Sequence, residues 1–81
     1  MISTQRNVAT TDPKLLFGRR LAMLRKDRGW SQEQLALQSG LARSYLGGVE
    51  RGQRNIALEN IVRLARTLEL RPSVLMDFSE D

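Results

Sequence analysis

Arg43 and Ser44 are the two residues of this 81-residue chain best placed to do chemistry on another molecule. The chain has no His and no Cys, which removes the commonest general base, the commonest metal ligand and any disulfide or thiolate site. An enzyme is therefore not expected, nor a metal or other cofactor. What remains is recognition by hydrogen bonding. A guanidinium fork such as that of Arg43 matches O6 and N7 of guanine, a pairing worth about 1–3 kcal/mol of base discrimination. Tyr45 follows directly, and the cations Arg51 and Arg54 lie a little further along.

Such residues need a scaffold, and the stretch SQEQLALQSGLARSYLGGVERG, residues 31–52, supplies one. Ser31 and Gln34 have the spacing of a capping box, each side chain satisfying the other residue's orphan backbone N–H. Leu35 and the small Ala36 follow, and Gly40 breaks the pattern. Leu41, Leu46 and Val49 then resume it. The spacing predicts two short helices joined by a tight turn at Gly40, with Ala36 small enough to let the second cross the first. At about 100° per residue, Leu46, Val49 and part of Tyr45 face the core. Arg43, Ser44, Gly47 and Gly48 are expected on the opposite face. If that helix enters a major groove, those positions meet base edges.

The flanking elements are also helical. Asp12-Pro13 reads as an N-cap with proline at the first helical position, and Phe17, Leu21 and Leu24 share one face of a helix ending near Arg28, with Gly29 beyond it. Trp30 fills the core or rim beside that turn. After a polar loop from Gly52 to Asn55, Leu58, Ile61, Ala65 and Leu68 mark a fourth helix, its stripe widened by Leu64. Ala57 stands where a Ser or Thr cap is expected, a loss of about 1 kcal/mol unless Asn55 substitutes. Arg71-Pro72-Ser73 opens a short fifth helix carrying Val74, Leu75 and Phe78. Residues 1–11 are polar and unpatterned and are expected to form a flexible tail, in which Arg6 is the single cation. Residues 12–81 form one all-α, five-helix domain. Aromatic content of 5% leaves its core to Leu, Ile, Val and Ala.

Thirteen Lys and Arg against nine Asp and Glu give a formal charge of +4, which favours a polyanionic partner. Arg19, Arg20, Arg25, Lys26 and Arg28 crowd the first helix. No apolar run approaches the ~20 residues that span a bilayer, and no signal-peptide pattern opens the chain, so a cytoplasmic protein with no membrane partner is expected. Leu70, Val74, Leu75 and Phe78 are many apolar residues for the end of so small a domain. They predict a homodimer interface built by helices 4 and 5.

The residues SQEQLA, then GL-x-x-SYL-x-x-VERG, then LENIVRLARTLEL resemble the phage-repressor (Cro/cI, or XRE) helix–turn–helix domain over roughly residues 13–78. ARSYLGGVERGQRN is most similar to the controller proteins of restriction–modification systems. The resemblance implies a compact lambda-repressor-like fold with the motif formed by helices 2 and 3. It also implies a small dimeric regulator of its own operon, bound to a palindromic double-stranded DNA operator in a bacterial or phage setting at the nucleoid. RNA polymerase is a candidate further partner. By the same resemblance Arg43, Ser44 and Tyr45 would meet bases from the start of the recognition helix, and Gly47 joins them by its place on the same helical face. Gln32, Arg51, Arg54 and Asn55 would hold phosphates, and Arg25 would pair with Glu50 inside the domain. An antitoxin, or a protein-interaction module on the same fold, is the alternative. The latter predicts acidic or apolar residues on the recognition face, where this chain carries Arg43.

Overall fold

A computed structural model describes residues 11–79, so the expected tail, with Arg6, lies almost wholly outside the described residues. The described chain forms five helices: α1 Pro13–Asp27, α2 Gln32–Ser39, α3 Arg43–Glu50, α4 Leu58–Thr67 and α5 Pro72–Leu75. Among the described residues there is no strand.

Local chemistry sets most of the helix ends. Asp12 accepts a hydrogen bond from the Lys14 backbone N–H at 2.9 Å, and Pro13 occupies the first turn of α1. At the other end Gly29 takes φ 76°. The capping box is present with both of its bonds: Gln34 N–H donates to Ser31 Oγ at 3.1 Å, and Ser31 N–H to Gln34 Oε1 at 2.8 Å. Gly40 adopts φ 79° and donates its N–H to the Ala36 carbonyl, closing α2 with a left-handed residue that only glycine occupies without strain. Helix α4 has no side-chain cap, so Asn55 does not stand in for the missing Ser or Thr.

Phe17 and Leu21 of α1, Leu35 of α2, Leu46 and Val49 of α3, and Ile61, Leu64 and Ala65 of α4 meet in one core that Leu68 and Leu75 complete. Helix α1 packs against α3 and α5, while α2 packs against both α3 and α4. The α1–α3 crossing depends on Gly18. A Cβ there would stand 2.5 Å from the Val49 carbonyl oxygen and 2.6 Å from that of Glu50, distances no side chain accepts.

Three expectations are corrected. Leu58 is 75% exposed rather than part of the buried stripe of α4, because it occupies the first position of the helix, ahead of the turn that packs. Leu75 is fully buried, so its side chain belongs to the protomer's own core and has no surface for a dimer partner. Helix α5 stops at Leu75, and Phe78 packs on the core from the segment after it.

Candidate nucleic-acid interface

Arg43 and Ser44 open α3 on exposed positions, while Leu46 and Val49 of the same helix are buried. The short α3 is thus held by one face and presents its N-terminal turn outward. Its N-cap, Ala42, offers no side-chain cap, and the free N–H groups of that first turn are a favourable place for an anion.

Behind this surface lies a buried ionic clasp. Arg25 Nε and Nη2 donate to Glu50 Oε2 and Oε1 at 2.7 and 2.8 Å, and Arg25 Nη1 donates to the Trp30 carbonyl at 2.8 Å. The bidentate bond to Glu50 raises the Arg25 pKa further above its ordinary value, against desolvation, which pulls it down. Gln32 Nε2 adds a third bond, to Glu50 Oε1 at 2.8 Å. One carboxylate therefore ties the end of α1, the start of α2 and the end of α3 together. Gln32 is half-buried at the first position of α2, so it has this internal task in addition to the outward one expected of it.

Tyr45 is half-buried. Asn60 Nδ2 donates to its hydroxyl oxygen at 3.1 Å, and the Arg54 guanidinium lies 5.9 Å from its ring centroid, within cation–π range. Arg51, Arg54 and Asn55 are exposed at and beyond the end of α3. Arg51 Nε donates to Gln53 Oε1 at 3.2 Å.

Gly47 and Gly48 do not lie open on the outer face, as expected; both are buried. The arginines that follow fold back over them. A Cβ on Gly47 would come 3.1 Å from Arg51 Nη1, and one on Gly48 would come 2.9 Å from Arg54 Cγ. The bare backbone of α3 makes room for these two side chains, so the glycines seat phosphate-binding candidates and Gly47 is not itself open to a base.

The basic first helix is also used differently from what its charge suggests. Arg20 Nε donates to the Val74 carbonyl at 2.8 Å and Arg28 Nη1 to the Leu68 carbonyl at 2.6 Å, at the C-terminal ends of α5 and α4. With Arg25 in the clasp, three of those cations are committed inside the protomer. The contact sequence reasoning missed is between Arg43 and Glu33: Arg43 Nε donates to Glu33 Oε2 at 2.8 Å across ten residues of sequence. Among the described residues no cluster of His, Cys, Asp and Glu could hold a metal ion, and no helix is long and apolar enough to cross a membrane.

A helix-turn-helix family model matches residues 21–75, and the chain belongs to that family. It is 38% identical to the control protein C.BamHI of Bacillus amyloliquefaciens over 71 residues, 86% of this chain and 88% of that one. The restriction–modification controller protein C.AhdI from Aeromonas hydrophila superposes with a TM-score of 0.75 and 56% identity, covering 76% of this chain and 94% of that one. SinR, a master regulator for biofilm formation solved in complex with DNA, superposes with a TM-score of 0.72 and 31% identity over 75% of this chain and 98% of that one.

Proposed function

We propose that this protein is a sequence-specific DNA-binding transcriptional regulator of the restriction–modification controller type, acting as a homodimer on a palindromic operator. The observation that carries this reading is the exposure of Arg43 and Ser44 on the first turn of a helix whose other face is locked into the core. In a major groove, the Arg43 fork would read a guanine and Ser44 a neighbouring base. Arg51, Arg54 and Asn55 would grip phosphates on one side and the start of α2 on the other. Tyr45, whose hydroxyl already accepts from Asn60, would offer its own proton to a phosphate.

One such motif covers too little DNA for tight binding, which favours a dimer with recognition helices about 34 Å apart. Leu70, Val74 and Phe78 are half-buried, and Met76 beside them is 48% exposed. That apolar face is the proposed dimer surface. The input would be protein concentration: a weak dimer makes operator occupancy rise more steeply than linearly, which suits autoregulation of an operon at the bacterial nucleoid. Placement relative to the promoter, and hence to RNA polymerase, would set activation or repression.

The test is a gel shift with DNA from upstream of the protein's own gene, against random duplex, over a range of salt. Wild type is expected to bind that DNA tightly and with marked salt sensitivity, and Arg43→Ala is expected to lose roughly 10–100-fold in specific affinity. Equal binding of both proteins to both DNAs would reject the reading.

A further inference from the structure

The ion pair of Arg43 with Glu33 joins the first turn of α2 to the first turn of α3, on the outward face proposed to meet DNA. Both side chains are largely exposed, 56% for Arg43 and 67% for Glu33, so the pair adds little to folding. Its geometry is more telling than its strength. Glu33 takes the Nε side of the guanidinium, and no other described residue bonds Arg43. The terminal Nη1–Nη2 edge, one of the two that can pair with O6 and N7 of guanine, stays open. The Glu33 carboxyl lies below the ordinary carboxylate range, lowered first by its own backbone N–H at the start of α2, then by Arg43 and by the Ser31 hydroxyl, so it is ionised throughout the neutral range.

We infer that Glu33 is a positioning residue for base readout: it clamps the Nε side of Arg43, so that the terminal fork of the guanidinium meets guanine in one orientation. Two consequences follow from the same carboxylate. On the correct base it removes the rotational freedom that Arg43 would otherwise lose on binding. On a wrong base it stands as a negative charge among phosphates, and it holds back Arg43 from swinging to the backbone as a non-specific contact. Glu33 therefore sharpens the difference between cognate and non-cognate DNA rather than raising affinity for both.

The inference rests on the DNA-reading role of Arg43, and the experiment separates the two. Duplexes are selected from a randomised pool by wild type, Glu33→Gln, Arg43→Ala and the double variant, and affinities are then measured for the winning site and its single-base changes. Thermal unfolding of Glu33→Gln should match wild type, since the side chain is exposed. Arg43→Ala should lose the preference for guanine at one position of each half-site. Glu33→Gln should weaken that same preference roughly fivefold while tightening binding to random duplex, and should change discrimination at that position no further once Arg43 is gone. If Arg43→Ala relaxes the position and Glu33→Gln leaves it as sharp as wild type, Glu33 has no positioning role, although Arg43 still reads the base. If Arg43→Ala selects the wild-type site unchanged, or wild type enriches no site, the role of Arg43 fails and the inference with it.

Discussion

Glu50 supports the proposed recognition surface from behind, through Gln32 and Arg25. Its carboxylate accepts from Arg25 twice and from Gln32 once, and the Arg25 and Glu50 side chains are only 9% and 6% exposed. Replacing it with glutamine would leave the Arg25 guanidinium buried without a counter-charge. Removing one partner of such a pair costs far more than the pair contributes over an apolar substitute. Glu50→Gln is expected to lose about 3 kcal/mol of stability, or roughly 10–20 °C in melting temperature, measured by thermal or urea unfolding without DNA. Arg43→Ala removes an exposed side chain and should leave that melting temperature within about 2 °C of wild type. Loss of folding and loss of the proposed reading are thus expected to separate at two positions seven residues apart.

At the scale of the element, α2, α3 and α4 differ in how much their own ends contribute. Helix α2 is fixed locally at both ends, by its capping box and by Gly40. Helix α4 lacks a side-chain cap but has Ala57 at the N-cap with φ −71° and ψ 148°, the extended geometry in which a serine hydroxyl reaches the N–H groups of the first turn. Ala57→Ser is therefore expected to stabilise the domain by about 1 kcal/mol, seen as a higher urea midpoint at unchanged slope. Helix α3 depends on its neighbours instead. It has no side-chain cap, contains two glycines and remains helical because Leu46 and Val49 are packed and Glu50 is clasped. Gly18 on α1 belongs to the same account, since the α3 backbone comes too close for any side chain there.

For the whole molecule, the reading face and the apolar C-terminal face must act together if a dimer is to span two half-sites. Leu75 takes no part in such a contact, because it is fully enclosed in its own protomer. The half-buried Val74 on α5 is the better probe. Val74→Glu is expected to weaken self-association at least tenfold by sedimentation equilibrium, since it buries a charge at an apolar contact, and to flatten the dependence of operator occupancy on protein concentration. A variant that dimerises as wild type does would locate the interface elsewhere.

Where local chemistry decides the outcome, it was legible in the residues alone. Asp12-Pro13, Ser31 with Gln34, Gly29 and Gly40 mark helix ends through bonds and dihedral angles spanning a few residues, and Leu21, Leu35, Leu46, Val49 and Leu64 reach the core because helical periodicity puts them there. Together they set the ends of the first two helices and the buried faces of the first four. Competition between distant groups could be settled only by the tertiary structure. Arg20 and Arg28 count toward a basic surface in sequence, yet each ends on a carbonyl far along the chain, 54 and 40 residues away. Leu58 and Leu75 look alike as apolar helix residues, yet one is in solvent and the other enclosed. Gly47 and Gly48 lie on the outward side of a helical wheel, yet Arg51 and Arg54 cover them. Periodicity tells which way a position faces on its own helix; which neighbour arrives there depends on how the helices cross, and that brought Glu33 to Arg43.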